Sequence, residues 1–288
     1  MHSRRAFVLG SAAPVLTGQT QRQGMFANAE AYERFMGRWS RLVAPQLVDF
    51  ATLPARGRIL DAGSGTGSLA FAIAQRHRGT RIVGIDPSKE YVAFASARNS
   101  FPDRARFAVG DAQQLSDAGS SFDAAVSLLV FNFIPDPRKA LGELRRVTKS
   151  GGSVTAAVWD YGDGMRMLRI FWDAATAIDP SADKLDEKHM PLCRFGQLAE
   201  LWRQGSLMDV REQAIDINMR FESFADYWDP FLLGQGPAGS YTRSLGGTKL
   251  DALREEIKRL IPASENGPFN LPARVWAVRG VVPARATA

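Results

Sequence analysis

The sequence has few of the residues that build disulfide bonds or metal sites. Of its 288 residues, one is cysteine and three are histidine. The single cysteine, Cys193, excludes an internal disulfide, and the cysteine and histidines show no spacing typical of a zinc site. No Ser-His-Asp set is apparent either. We therefore predict neither a metal centre nor a hydrolase triad.

Long apolar runs and a concentrated basic patch are also missing. No run approaches the roughly 18 apolar residues that a membrane-spanning helix requires, so we predict no membrane span. The net charge of +6 is spread over short clusters such as Arg145-Arg146, without interleaved aromatic residues. Nucleic-acid binding is therefore not expected. The hydrophobic content of 45% suffices for one α/β domain of generous size.

Residues 1–24 differ in character from the rest of the chain. Arg4-Arg5 before a short apolar stretch resembles a twin-arginine export signal. The polar stretch 19–24, followed by Met25, favours a disordered leader or an upstream start codon instead. We expect a cytoplasmic protein whose functional part begins near Met25, with export as the alternative.

From Arg58 onward, short runs rich in branched, aromatic and alanine residues alternate with segments of helical periodicity. This alternation is typical of βαβ units, whose parallel strands are buried on both faces. We predict a Rossmann-like, doubly wound α/β fold with a mostly parallel sheet of about seven strands, the last one antiparallel, and helical cap insertions. The predicted strands are 58–61, 81–86, 105–110, 122–130, 153–159, 210–219 and 274–281.

Predicted helices fill the intervals between these strands. Helical spacing covers 68–77 and 89–98, and a third helix starts at Asp136-Pro137, with Gly151-Gly152 expected to close it after Lys149. Two amphipathic helices are predicted within 161–205, the second over 195–204. The stretch 220–273 is too long for a plain connection, and such lengths usually indicate a lid or a binding element.

A glycine-rich turn follows the first predicted strand. Asp61 ends the strand, and Gly63, Gly65 and Gly67 lead into a helix, where backbone N–H groups can approach a ligand closely. The dinucleotide fingerprint would place its third glycine at Ser68, and the lysine of a nucleotide P-loop is missing. A carboxylate at Asp61 would repel a pyrophosphate but attract an ammonium or a sulfonium group. The turn therefore predicts a nucleoside that carries positive charge.

The next two strands also end in aspartate. Asp86 lies where a carboxylate accepts the ribose hydroxyl protons in doubly wound nucleoside sites, and Asp111 lies at the same edge of the sheet. The alternative for each aspartate is a cap for the helix that follows it.

The motifs Asp61–Gly67, Gly84–Pro87, Gly110–Ala112 and Phe122–Val126 resemble those of class I S-adenosylmethionine (SAM) methyltransferases, in particular the ubiquinone/menaquinone-biosynthesis (type 11) branch. The resemblance covers roughly residues 30–160. It implies that SAM is the cofactor and a small molecule the methyl acceptor. The glycine turn and Asp61 would hold the methionine part, with Ser127 and Leu128 completing it. The implied cofactor residues fall into three groups. Asp61, Gly63, Gly65, Gly67, Ser127 and Leu128 lie at the methionine part, Asp86 and Pro87 at the ribose, and Asp111 and Ala112 at the adenine.

The segment Ala31–Arg41 resembles openings that fold over the cofactor in related enzymes. On this interpretation Tyr32 faces the sulfonium and Arg38 binds the methionine carboxylate. The alternative is an amphipathic helix with Phe35 and Trp39 in the core. The resemblance thus divides 25–288 into N-terminal lid helices (25–57), a SAM-binding core (58–160), an acceptor side (161–273), and a final strand with its tail (274–288).

The sequence does not identify the acceptor. Relatives often have histidine after the fourth strand, where this chain has Asn132-Phe133. Asn132, His189 and Tyr227 are polar candidates for catalysis without a motif behind them, and His189 is equally an exposed loop residue. The aromatic side chains after residue 160 either form an acceptor pocket or belong to the core. These are Phe171, Trp172, Phe224, Tyr227, Trp228 and Phe231.

The predicted function is methyl transfer from SAM to an O, N or C nucleophile by in-line displacement, in which a dedicated base is optional. Two alternatives stay open. One is a SAM-binding protein without catalysis; the other is an NAD-dependent oxidoreductase, which Ser68 and the lack of a Tyr-x-x-x-Lys pair disfavour. The oligomeric state is left open.

Overall fold

The computed structural model describes residues 28–261, 263 and 267–284. The predicted leader 1–24 and the proposed start at Met25 lie outside these residues. No helix in the described part of the chain is long and apolar enough to cross a membrane.

A seven-stranded sheet forms the centre of the described chain, in the order β3-β2-β1-β4-β5-β7-β6. The first five strands are parallel, and β7 runs antiparallel to both of its neighbours. This confirms the predicted fold. The strands are β1 (Arg56–Ala62), β2 (Gly79–Asp86), β3 (Ala105–Val109), β4 (Phe122–Leu128), β5 (Thr148–Trp159), β6 (Met208–Phe221) and β7 (Phe269–Val281).

Two hydrophobic cores lie on the two faces of the sheet, because successive side chains of a strand point to opposite faces. Ile59 and Leu60 are neighbours in β1 and are both fully buried, yet they belong to different cores. Burial on both sides explains why these strands appear in the sequence as unbroken apolar runs.

Helices cover both faces of the sheet. In chain order they are α1 (Ala29–Tyr32), α2 (Arg38–Ala51), α3 (Ser68–Arg76), α4 (Lys89–Ala97), α5 (Pro137–Val147), α6 (Arg166–Ile178), α7 (Gln197–Gln204), α8 (Phe224–Leu232), α9 (Gly236–Ser244) and α10 (Gly247–Leu260). A π-helical turn, Glu33–Gly37, joins α1 to α2.

The predicted start of α5 is confirmed and its predicted end is wrong. Asp136 caps the helix by accepting a hydrogen bond from the Lys139 N–H at 2.9 Å, ahead of Pro137. The helix ends at Val147, and β5 begins at once with Thr148. Gly151 has a φ of +76° and lies where the β4–β5 register shifts. Gly151 and Gly152 therefore accommodate an irregularity in the strand and do not end the helix.

The paired strands β6 and β7 extend past the end of β5. Trp159 at the end of β5 pairs with Val275, whereas β7 pairs with β6 back to Phe269. Before Val275, β7 has no pairing with β5, and this explains why Pro272, which has no N–H to donate, is tolerated in the strand. The sequence predicted this strand to start at 274. Helices α8 to α10 connect the two strands at this extended end.

Candidate active site

A cleft of about 580 Å³ opens at the carboxyl ends of the parallel strands. One wall is the glycine turn after β1 together with the ends of β2, β3 and β4; the other contains Tyr32, Phe35 and the start of α9. A doubly wound fold binds ligands at this edge of its sheet. Of the predicted cofactor residues, the structure places these at the cleft: Tyr32, Asp61, Gly63, Gly65, Asp86, Pro87, Asp111, Ala112 and Leu128.

Asp61 lies at the base of the cleft with none of its surface exposed to solvent. Neither carboxylate oxygen has a hydrogen-bond partner among the described residues. Burial raises the pKa of Asp61 to about 7; the nearby Ala70 backbone N–H, which does not reach hydrogen-bond geometry, opposes the rise, and the negative charge of Asp86 adds to it. An unpartnered buried carboxylate is costly, and a cationic group that pairs with it would relieve this cost.

Asp86 organises the turn as well as lining the cleft. Its Oδ2 accepts a hydrogen bond from the Gly65 N–H at 2.9 Å, and its Oδ1 accepts one from the Ser88 N–H at 2.9 Å. Burial raises the pKa of Asp86, and these two backbone hydrogen bonds oppose the rise. Asp86 thus supports its own loop and faces the cleft. It does not cap the helix that follows, because Ser88 does so by accepting a hydrogen bond from the Tyr91 N–H at 3.3 Å.

The glycines of the turn have different roles. Gly65 has a φ of +51°, and a Cβ added there would meet no atom within 4 Å, so its backbone is open to the cleft. Gly67 has a φ of +94° and does not line the cleft; an added Cβ would lie 2.6 Å from the Phe71 ring. Gly67 is therefore required for packing and backbone conformation rather than for ligand contact.

Glu33 joins the N-terminal segment to the glycine turn. Its Oε1 accepts a hydrogen bond from the Thr66 hydroxyl at 2.5 Å, and its Oε2 pairs with the Arg98 guanidinium at 2.8 Å. Although burial acts in the opposite direction, these contacts and the nearby Arg41 lower the pKa of Glu33. The π-helical turn is thus fixed directly over the glycine turn.

The inner end of the cleft holds polar side chains that no sequence motif announced. Trp159 ends β5, Tyr161 follows it, Glu187 lies in a single 3-10 turn, and Gln235 precedes α9. All four are buried. The only available signal was the composition of the segment after residue 160, which gives no indication of which side chains point inward.

Comparisons with known proteins agree with this geometry. A family model described as a methyltransferase domain matches residues 60–156. The malonyl-[acyl-carrier protein] O-methyltransferase of Geobacter sulfurreducens is 30% identical over 264 residues, covering 88% of this chain and 93% of that protein. The chain belongs to the SAM-dependent methyltransferases. Its cofactor is S-adenosylmethionine, and this membership argues against the NAD-dependent alternative.

Other methyltransferases match over less of their length. The demethylmenaquinone methyltransferase of Thermus thermophilus is 37% identical over 116 residues, which is 40% of this chain and 51% of that protein. The chain thus spans about half the length of that relative.

Solved structures share the fold of this methyltransferase. A Haloferax volcanii methyltransferase bound to its activator has a TM-score of 0.57 at 18% identity, covering 92% of this chain and 98% of that one. Phosphoethanolamine N-methyltransferase 2 of Haemonchus contortus, solved with S-adenosylhomocysteine, has a TM-score of 0.55 at 18% identity and covers 93% and 58%. At these identities the likeness concerns the fold alone.

The structure does not place Arg38 at the methyltransferase cleft. Its Nη1 donates to Asp226 Oδ1 at 2.6 Å, its Nη2 donates to the Asp226 carbonyl at 3.1 Å, and its guanidinium lies 4.2 Å from the Trp39 ring centroid. The predicted contact with a methionine carboxylate is therefore not supported. Tyr32 does line the cleft, where its hydroxyl lies 3.1 Å from Ser40 Oγ.

Ser127 lies behind the cleft rather than in its wall. Its hydroxyl donates to the Ala62 carbonyl at 2.8 Å and so joins β4 to β1, while the next residue, Leu128, faces the cleft. Leu129 follows with a φ of +63°, a conformation that costs a non-glycine residue on the order of 1–2 kcal/mol. This strained residue lines the cleft, and no sequence pattern predicted it.

None of the three polar candidates for catalysis lines the cleft. Asn132 is buried, and its Nδ2 contacts the Met190 sulfur at 3.4 Å. His189 is exposed and lies 3.2 Å from Asp183, as its alternative interpretation predicted. Tyr227 is buried and donates to the Met167 carbonyl at 2.8 Å. The six aromatic residues named after residue 160 belong to the hydrophobic core, so the core interpretation holds for them.

Proposed function

We propose that this chain transfers a methyl group from S-adenosylmethionine to a small-molecule O, N or C nucleophile by in-line displacement. The observation that carries the proposal is Asp61, a fully buried carboxylate without a partner at the base of the cleft. Such a group stabilises the binding of a cation and opposes the binding of a pyrophosphate.

The residues at the strand ends fit the cofactor. We assign Asp61 and the open backbone of Gly65 to its methionine part, Asp86 to its ribose, and Asp111 with Ala112 to its adenine. The lack of any atom near a Cβ at Gly65 supports close approach of a ligand to that backbone. Tyr32 covers the same region from the opposite wall and supplies an aromatic face of the kind that stabilises a sulfonium.

SAM supplies an electrophilic methyl carbon, so the protein mainly has to align the nucleophile and exclude water. Phe35, Met36, Phe133 and Trp159 give the cleft an apolar wall between the strand ends and its inner end. Its volume lies in the range of about 300–1,000 Å³ typical of small-molecule sites. The cleft therefore favours a small acceptor over a folded macromolecule.

We also propose that residues 25–288 act as one methyltransferase domain, divided into lid, SAM-binding core, acceptor side and final strand as the sequence suggests. The sheet supports this division, because β7 of the second half pairs directly with β5 of the core and β6 pairs with β7. A cytoplasmic location follows from the need for SAM, which is made and kept there.

Titration calorimetry with SAM, S-adenosylhomocysteine and NAD tests the cofactor assignment, with Asp61→Asn as the matched variant. We expect the two SAM-type ligands to bind, NAD not to bind, and the variant to bind SAM at least tenfold more weakly. Transfer of labelled methyl from SAM to a panel of quinols, phenols, amines and small acids tests catalysis. Failure of both SAM-type ligands at millimolar concentration would refute the proposal; binding without transfer would indicate a non-catalytic SAM-binding protein.

A further inference from the structure

The inner end of the cleft combines three buried polar side chains that carry hydrogen-bond acceptor atoms. Glu187 is 3% exposed, Gln235 is 4% exposed and Tyr161 is 5% exposed, and all three line the cleft. They come from three separate segments: the loop after β5, the 3-10 turn Glu187–His189, and the residue before α9. Most of the proposed cofactor residues lie at the ends of β1, β2 and β3, and β4 separates these strands from β5, which Tyr161 follows.

Glu187 is held in place by donors from two directions. The Trp172 Nε1–H of α6 donates to its Oε2, and the backbone N–H of Ala238 in the first turn of α9 stabilises its charge. Burial outweighs both and raises the pKa of Glu187 to about 7. A carboxylate of this kind changes its protonation near neutral pH.

An unpartnered acceptor atom lines the cleft together with Glu187. Gln235 Oε1 is buried, with no hydrogen-bond partner among the described residues. A buried acceptor without a donor is costly, and a bound molecule that donates hydrogen bonds would remove the cost.

Cationic side chains are scarce at this end. Among the described residues that line the cleft, Lys89 alone is cationic, and it lies at the start of α4 beside Asp86 and Pro87. Arg169 is buried near Glu187, but its guanidinium is paired with Asp186, with Nη1 to Oδ2 at 3.1 Å. A carboxylate in the cleft would therefore face Glu187 without a compensating charge.

We propose that the methyl acceptor is a hydrogen-bond donor, a hydroxyl compound or an amine rather than a carboxylic acid, and that it donates to Glu187 and Gln235. This inference rests on the proposed methyl transfer. Methylation of such an acceptor joins its oxygen or nitrogen to the methyl carbon. The carbon–sulfur bond breaks with its electron pair left on sulfur, and one proton is released. Glu187 accepts that proton and passes it to water.

Binding of three probes of similar size tests the proposal without turnover. Benzylamine, phenol and benzoate are titrated into protein saturated with S-adenosylhomocysteine at pH 8, where Glu187 is mostly ionised. We expect benzylamine or phenol to bind at least tenfold more tightly than benzoate. Glu187→Gln should reduce that preference at least tenfold, and Gln235→Leu should reduce it too. Asp163→Asn is the matched control, because it makes the same chemical change at an exposed position outside the cleft.

Retained affinity for S-adenosylhomocysteine shows that each variant is folded and that its cofactor site is intact. The inference is overturned if benzoate binds as well as the donors, if no probe binds, or if Glu187→Gln leaves the preference unchanged. If S-adenosylhomocysteine itself fails to bind to the unaltered protein, the proposed function falls instead.

The pH dependence of donor binding is a second measurement. Affinity should weaken as the pH falls through about 7 in the unaltered protein, and this dependence should be lost in Glu187→Gln. The other charged or titratable groups around Glu187 are Asp186 with its partner Arg169, Lys188 and Tyr161; Tyr32 and Cys193 lie beside Tyr161. An unchanged profile in Glu187→Gln would assign the dependence to one of these and overturn the role of Glu187.

Discussion

The backbone N–H of Gly65 donates a hydrogen bond to Asp86 Oδ2 at 2.9 Å, so the carboxylate that ends β2 fixes the turn that follows β1. The N–H groups of Gly63 and Ser64 both donate to the Ile85 carbonyl at 2.8 Å, which reinforces the same connection. The shape of the turn is therefore set by the neighbouring strand, and ligand affinity should depend on both elements together.

Gly65→Ala should lower SAM affinity at least tenfold. The φ of +51° costs alanine about 1 kcal/mol of stability, and the new methyl group would occupy space open to the cleft. Gly151→Ala is the matched control, since Gly151 has a φ of +76°, equally open space and no place in the cleft. Calorimetry and urea unfolding should show similar stability losses but reduced affinity only in Gly65→Ala. Equal affinities would contradict the assignment of Gly65 to the ligand site.

The raised pKa of Asp61 gives the free protein a defined pH dependence. A carboxyl whose pKa rises to about 7 on folding holds its proton more tightly in the folded state, so its contribution to stability is lost as the pH rises from about 4 to about 7. Asp86 shifts in the same direction. At pH 8, Asp61→Asn should therefore raise the free energy of unfolding by roughly 2–4 kcal/mol, with a smaller gain at pH 4.

The affinity for SAM should depend on pH in the direction opposite to the stability of the free protein. Below about pH 7 Asp61 becomes neutral and its attraction for a cation is lost, so affinity should fall by up to about tenfold per pH unit. Titrations between pH 5.5 and 8.5 measure this slope. Asp61→Asn should bind weakly with little pH dependence, and a steep slope retained in this variant would show that another group is responsible.

Arg38 should matter for stability and not for the cofactor. Arg38→Ala removes the ion pair with Asp226, in which both side chains are more than two-thirds buried, and the stacking on Trp39. We expect a loss of about 1–2 kcal/mol with SAM affinity unchanged within twofold. Tyr32→Leu should lower SAM affinity, because it removes the aromatic face that Tyr32 presents to the cleft. The reverse pattern in thermal melts and calorimetry would restore Arg38 to the site.

The segment before α9 is expected to respond to ligand. Gln235, Gly236 and Pro237 line the cleft, and Gly234 and Gly236 both have positive φ, as suits a hinge. Trypsin cleavage after the exposed Arg243 of α9 should slow at least threefold when SAM is added. Cleavage after Arg254 of α10, outside the cleft, serves as the internal control. Equal rates at Arg243 with and without SAM would remove the hinge interpretation.

The sequence predicted the elements whose physical cause is local. The strand ends at Asp61, Asp86 and Asp111 could be located because each follows an apolar run and precedes a turn, and parallel strands bring their carboxyl ends to one edge. The start of α5 at Asp136-Pro137 is equally local, since a cap and a proline act within one turn.

Features that depend on distant packing could not be predicted. Glu187 becomes a buried cleft residue only because Trp172 and α9 pack around a short 3-10 turn. The π-helical turn Glu33–Gly37 changes the angle between successive residues. The directions of Tyr32 and Arg38 relative to each other therefore do not follow from a spacing of 3.6 residues per turn. Tyr227 is buried and donates its hydroxyl to the Met167 carbonyl, a contact that the residue type alone does not reveal.

The cap, helices α8 to α10, is attached to the sheet through the part of β6 and β7 that extends past the end of β5. From Phe269 to Arg274 the pair continues for roughly 20 Å, at about 3.3 Å per residue, with α8 to α10 attached at its far end. Cross-strand hydrogen bonds make this ribbon stiff along its length. The ribbon therefore anchors the cap helices to the sheet, and we expect a ligand-induced movement of the cap to occur at Gly234 and Gly236 rather than within the ribbon.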